Sequence, residues 1–397
     1  MRKGVLPRLL RQLEWRSRVV LRSGVVVLEG MGWLPPPSPS PGKGEGFSLI
    51  RLDGIGDFWL WLPFVAALKK AYSDSPFYLV ANPLWKELAE QTGFFQTIVS
   101  VDPSRLRRSF QYRRAIRRML ATLFPSSRML LQSTFSRRIA VEDWVAWTLP
   151  AAQRIAWQRD PLSGEPLLLS QWIDQALYNK VLETPTSFFI HEWRRYSAWL
   201  DDLGLGPLEW DIYSALRHRL APSSPSSAYG IVVVGASVSY KVPPADVWIK
   251  LCTALRRYEG VRLYVVGTAA ERGHAALLQS VAEDWTGRLS LREAVQKIIG
   301  ASFVLSTDTG MGHIAATLGV PTIMIAGGGH WGRFIPYPAE VSFPLKVIAK
   351  EKPCFGCGWM CKYQYTRTKA YPCIREIASA GVVEEALSWL KEVRKAT

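Results

Sequence analysis

"SFVLSTDTGMGHIAATLGVPTIMIAGGG" (residues 302–329) decides how this chain folds. It opens on an apolar run, passes through Asp308-Thr309-Gly310, continues as a helix near 311–318 and closes on a second apolar run ending in three glycines. Apolar strands alternating with helices in this way pair in parallel and are buried on both faces. The turn sets backbone N–H groups and the Thr309 hydroxyl at a helix start, where an anion binds. His313 follows in the first helical turn, and Asp308, at the strand's carboxyl end, suits sugar hydroxyls. The alternative for the same residues is a capped turn with a core histidine.

The alternation extends upstream. "YGIVVVGA" (229–236), a helix near 245–258, "VRLYVVG" (261–267), a helix near 291–300 and "SFVLST" (302–307) form one α/β series. "GASVSYK" (235–241) follows its first strand and offers Ser237 and Lys241 to a diphosphate, while Glu271 follows "VRLYVVG", where a carboxylate takes both hydroxyls of a ribose. Together these strand ends describe a nucleotide-diphosphate site at a topological switch point. A proline–serine run, "APSSPSSA" (221–228), reads as an interdomain linker, and before it "FSLIRL" (47–52), "FYLVAN" (77–82) and "QTIVSV" (96–101) begin a second strand–helix series.

The first loop of that earlier series, in "SLIRLDGIGDFWLWLPFVAALKK" (48–70), has only Gly54 and Gly56 of a dinucleotide fingerprint and no G-K-[ST]. Asp57 stands at the helix opening, where the dipole favours its charged form and where it repels a phosphate. It suits accepting a proton from a neutral hydroxyl; the plainer reading is an N-cap. Pro63 is expected to kink or restart the helix.

Length and composition set outer bounds. The 397 residues, 48% hydrophobic and 21% charged, make two or three ordinary globular domains, and the net charge of +16 favours an anionic partner. No apolar stretch is long enough to span a membrane, and Arg16, Arg18 and Arg22 interrupt any signal-peptide core, so a cytoplasmic chain is expected.

"IRLDGIGDFWLWLPFVAALKK" together with "STDTGMGHIAATLGVPTIMI" resembles glycosyltransferase family nine, the ADP-heptose:lipopolysaccharide heptosyltransferases, over roughly Phe47 to Ile377. The resemblance implies a GT-B fold of two Rossmann-like domains with parallel sheets facing a cleft, the donor in the C-terminal domain and the acceptor in the N-terminal one. It also implies an inverting transfer whose catalysis requires no metal or other cofactor. By the same resemblance Asp57, in the loop with Gly54 and Gly56, matches the catalytic base. Ser237, Lys241, Glu271, Asp308, Thr309, Gly310 and His313 match the donor site. Trp157, in "RIAW", departs from the family's "RIG". The expected boundaries are a basic extension and Pro-rich linker (1–46), the acceptor domain (47–220), the linker (221–228), the donor domain (229–380) and a final helix (381–397). A GT-B scaffold that binds a nucleotide sugar or an anionic polymer without turnover is the competing reading.

Three features stand outside that core. "RLRRSFQYRRAIRRML" (105–120) reads as one helix with Tyr112, Ile116, Met119, Leu120 and Leu123 inward and Arg113, Arg114, Arg117 and Arg118 outward, as a solvated face or an acceptor- or membrane-facing patch. No nucleic-acid module accompanies it. Cys354, Cys357, Cys361 and Cys373, spaced C-x2-C-x3-C-x11-C, are either the thiolate shell of a structural zinc or iron or free thiols. Residues 1–22, with Leu6, Leu9, Leu10 and Leu13 on one helical stripe, either lie on the anionic inner face of the cytoplasmic membrane or pack on the protein.

Overall fold

The computed structural model describes residues 44–160, 163–183, 190–222, 228–236, 238–364, 369–377 and 379–396. The basic segment 1–22, most of the linkers and Ser237 lie outside them. Among the described residues, two six-stranded sheets, parallel throughout, carry the fold.

The first sheet runs β3-β2-β1-β4-β5-β6, built from Phe47–Arg51, Phe77–Ala81, Thr97–Ser100, Ser127–Gln132, Ala151–Trp157 and Lys180–Leu182. The central strands β1 and β2 are buried on both faces, as the near-continuous apolar sequence requires. Its helices include α1 (Ile55–Ala71), α2 (Pro103–Arg108), α3 (Phe110–Leu123) and α4 (Leu167–Leu177). The helix expected over 105–120 is in fact two, because Ser109 is extended and its side chain caps α3 by accepting from the Tyr112 N–H. The break turns Arg113 inward, where its Nη1 donates to the Leu106 carbonyl at 2.8 Å, so the outer face keeps Arg114, Arg117 and Arg118 only. Leu123 is exposed and Phe124 takes its place in the core.

The second sheet runs β12-β11-β10-β7-β8-β9, from Tyr229–Val233, Arg262–Val265, Glu283–Asp284, Phe303–Thr307, Thr322–Ala326 and Leu345–Ala349. Counted from its own first strand, it repeats the order of the first sheet. Chain order reverses between β1 and β4 in one sheet and between β7 and β10 in the other, and ligands bind at the carboxyl ends of such strand pairs. Helices α5 (Ala245–Glu259), α6 (Leu291–Ile299), α7 (Gly310–Thr317) and α8 (Ser379–Ala396) accompany it. Amphipathic α5 and α8 bury Leu251, Leu255, Ala386 and Leu390 in one apolar cluster with β7, β8 and β10.

The chain divides into two compact units whose borders cross the sequence more than once. One gathers residues up to Gly54, Phe64–Thr186 and Arg195–Glu209; the other gathers Ile55–Pro63, Ser187–Arg194 and Trp210–Thr397. Helix α1 does not restart at Pro63, yet that residue is where its membership changes.

Candidate functional site

The first turn of α1 belongs to the second unit because its backbone meets that of α7. Gly56 and Gly310 approach so closely that a Cβ on Gly310 would lie 2.6 Å from the Gly56 nitrogen, and one on Gly56 would lie 3.1 Å from the Gly310 Cα. Only glycine permits this contact. Deeper in the same turns, Trp59 Nε1 donates to Thr317 Oγ1 at 2.6 Å, and Tyr213 and Trp193 donate to the Trp59 and Leu60 carbonyls at 3.0 and 2.9 Å. Asp57 is therefore held beside the 308–313 loop. It sits in the first turn of α1, half-buried, and the N-cap is Gly54, so the capping reading of Asp57 does not apply.

Across the second switch point, Thr307 donates to the Gly235 carbonyl at 2.5 Å, joining the ends of β10 and β7. Asp308 follows, buried, with Lys241 Nζ 3.6 Å from its Oδ2 and His313 Nε2 3.7 Å from its Oδ1. Burial alone pushes the Asp308 carboxyl up; the Lys241 ammonium and the His313 ring outweigh it and hold the group well below the usual carboxylate range. Its Oδ2 accepts no hydrogen bond from the described residues. Thr309 is the N-cap of α7 but makes no side-chain cap to the first N–H groups of the helix; its hydroxyl lies 3.2 Å from Ser306 Oγ.

Glu271 lies in a cradle of glycines. A Cβ on Gly235 would come within 2.3 Å of its Cγ, and one on Gly267 within 3.0 Å of its Oε2. That Oε2 closes a capping box, accepting from the Thr268 N–H at 2.6 Å and its hydroxyl at 2.5 Å, which pins the carboxylate at the end of β8. The site thus joins Asp57, Lys241, Asp308, Thr309, Gly310 and His313 around one loop pair, with Glu271 fixed beside Gly235.

The sequence model of glycosyltransferase family 9 (heptosyltransferase) matches residues 143–361, more than half of the chain. The chain belongs to glycosyltransferase family 9. Lipopolysaccharide heptosyltransferase 1 of Pseudomonas aeruginosa is 35% identical to this family 9 chain over 158 residues, 39% of the chain and 43% of that protein, so the match spans less than half of the relative's length. Among solved structures, the glycosyl transferase family 9 protein of Veillonella parvula aligns with TM-score 0.66 and 15% identity over 89% of this chain and 99% of its own. E. coli heptosyltransferase WaaC with ADP-2-deoxy-2-fluoro heptose aligns with TM-score 0.59 and 18% identity over 79% and 96%. At these identities the likeness speaks for the fold, which is GT-B: α/β, with two Rossmann-like domains.

Several residues of the site gave no signal in the sequence. Tyr337 bonds His313 Nδ1 at 2.8 Å and stacks on its ring. His191, bonded through Nε2 to the Phe334 carbonyl at 2.9 Å, and the buried Arg333–Glu192 pair at 2.7 Å brace the segment that carries Tyr337. All are separated from the D-T-G loop by long stretches of chain, and only spatial proximity reveals them.

For the four cysteines of the 354–373 loop the sequence left a thiolate shell and free thiols open; among the described residues no group of three or more His, Cys, Asp or Glu is arranged to hold a metal ion. They are electrostatic neighbours all the same. Burial, then the adjacent Cys354, Cys373 and Cys361, push the Cys357 thiol up. The loop is held by its backbone, with Gly356 and Gly358 N–H groups donating to the Gly328 and Gly329 carbonyls at 2.6 and 2.8 Å. Among the described residues no helix is long and apolar enough to cross a membrane.

Proposed function

We propose that this chain moves a heptose, or a closely related sugar, from ADP-heptose or a similar nucleotide sugar to a lipopolysaccharide-core or other glycan acceptor, inverting the anomeric carbon. The observation that carries this reading is the Gly56–Gly310 contact, which brings the Asp57 helix turn against the D-T-G-x-x-H loop. An acceptor hydroxyl beside Asp57 loses its proton to the carboxylate as its oxygen attacks the anomeric carbon. The bond from that carbon to the diphosphate breaks, and ADP leaves with the electron pair. Lys241 and the first N–H groups of α7 meet the charge that develops on the departing diphosphate. Glu271 takes the ribose, and Asp308, ionised and with an unused buried oxygen, takes sugar hydroxyls. The acceptor class follows the Pseudomonas relative, which is named for lipopolysaccharide. Such an acceptor is membrane-anchored, so the protein works at the inner face of the cytoplasmic membrane, with the exposed Arg114, Arg117 and Arg118 suited to an anionic surface.

Mixing ADP-heptose with heptose-free lipopolysaccharide core and following ADP release tests this. Asp57→Asn is expected to cut release about 10²- to 10⁴-fold while ADP binding by calorimetry stays as in the parent. Loss of ADP binding in that variant would move Asp57 into the donor site, and ADP binding by the parent with no release would leave a non-catalytic scaffold.

A further inference from the structure

The glycine triplet Gly327–Gly329 and the cysteine-bearing loop have no part in the reading above, and they meet at one side chain, Trp359. We infer that Trp359 is a positioning residue for Lys241 and, through it, for the donor diphosphate; the inference rests on the donor site proposed above.

Two contacts bear on where the Lys241 ammonium sits. Asp308 Oδ2 lies 3.6 Å from its Nζ, beyond the 2.7–2.9 Å of a charge-assisted hydrogen bond, so the carboxylate attracts the ammonium without fixing it. The other is the Trp359 ring, whose centroid lies 4.7 Å from Nζ. A ring face holds an ammonium without consuming a directional N–H and without competing, as a second carboxylate would, for the charge that a diphosphate needs. The cation stays in place and keeps its donors for the ligand.

The backbone is shaped around this contact. Trp359 has φ +61°, the only non-glycine residue with positive φ among those described, and a bulky residue in the left-handed region persists only where its surroundings enforce it. Gly329 is where the indole lies: a Cβ there would meet Trp359 Cδ2 at 2.1 Å, and one on Gly327 would meet its Cη2 at 3.1 Å. The indole is also gripped beside its target: Tyr240, next to Lys241 in the chain, and Tyr371 pack against it with centroids 5.7 and 6.2 Å away, stack on each other at 4.5 Å, and are tied by the Tyr371 N–H donating to the Tyr240 carbonyl at 3.1 Å. Trp359, Tyr371 and Cys373 form one buried cluster with Tyr240 and Cys361 against it. The loop therefore has work to do at the donor site whatever its thiols bind.

Calorimetric titration of the full chain with ADP, and separately with adenosine, tests the inference in Trp359→Leu, Trp359→Phe, Lys241→Met and the Trp359→Leu/Lys241→Met double variant. Trp359→Leu is expected to weaken ADP about 3- to 30-fold. Trp359→Phe, which keeps a ring face, stays within about threefold of the parent, and the double variant binds ADP no more weakly than Lys241→Met. Adenosine, lacking the diphosphate, binds Trp359→Leu and the parent alike, which a misfolded site would not allow. If Trp359→Leu binds ADP as the parent does, weakens adenosine equally, or weakens ADP just as much without Lys241, the inference fails. A parent that binds no ADP overturns the donor site itself.

Discussion

Two buried clusters of charge, one in each unit, are built in opposite ways. In the first, Asp143 accepts from Arg137 Nε at 3.2 Å, Arg159 Nη2 at 2.7 Å and the Tyr178 hydroxyl at 2.7 Å, while Asp174 accepts from the same two arginines at 2.6 and 2.9 Å. Arg137 also donates to the Trp157 carbonyl, and only Arg159 Nε in this set lacks a partner among the described residues. In the second, Asp308 has Lys241 and His313 at 3.6 and 3.7 Å and an Oδ2 that accepts no hydrogen bond from the described residues. Buried polar groups are ordinarily satisfied, and a network left open in an otherwise dense interior is one shaped for something that arrives later. The closed cluster serves the fold. In the reading proposed above, the open one is left for the donor.

Trading the two carboxylates breaks or upholds that contrast. Asp143→Ala leaves two buried arginines sharing the single carboxylate of Asp174, an uncompensated buried charge, and takes the acceptor from the Tyr178 hydroxyl; it is expected to cost about 3–5 kcal/mol in urea denaturation. Asp308→Asn is expected to lose far less stability, yet to slow sugar transfer about 10- to 100-fold through lost charge-assisted bonds to the donor. Equal destabilisation by both would erase the distinction between closed and open.

A second test concerns what holds the open cluster in shape, which is backbone contact rather than charge. Gly310→Ala pushes a methyl against the Gly56 nitrogen and is expected to cost about 1–3 kcal/mol in thermal denaturation. Gly273→Ala, where a Cβ meets nothing within 4 Å, should be neutral or stabilising. A tolerated Gly310→Ala would mean that the two helix turns can part without consequence.

The smallest effect is a slope. Burial lowers His330 to about 3, with Lys241 and Arg333 adding to it, and lowers His191 to about 4. Unfolded, both titrate near pH 6.5, so the unfolded chain binds more protons below that value. The contribution is whole above pH 6.5 and drains away as pH falls to about 4 for His191 and about 3 for His330, at up to about 1.4 kcal/mol per pH unit for each ring. Urea midpoints measured across this range should flatten in His191→Gln and His330→Gln; an unchanged slope would assign acid sensitivity elsewhere.

Much of this was open to a reader of the sequence. The loops at Asp57 and Asp308 announce themselves because strand, glycine turn and helix start are written in neighbouring residues. Strands as short as Glu283–Asp284, or as polar at one end as Lys180–Leu182, carry too little local pattern to be read, and they exist because a central strand offers them an edge. The stripe in α3 misled at both ends, since periodicity ignores the cap at Ser109 that rotates Arg113 inward and the helix end that releases Leu123.

By itself, the sequence determined the parallel α/β architecture, the two Rossmann-like halves and where the glycine turns between strand and helix fall, because those follow from hydrophobic period and turn chemistry over a few residues. Only the tertiary structure decided that the first turn of α1 joins the second unit, that Tyr337 backs His313, and that a tryptophan from the cysteine-bearing loop lies over Lys241. Those relations join residues far apart in the chain, and packing between distant segments leaves no trace in local pattern.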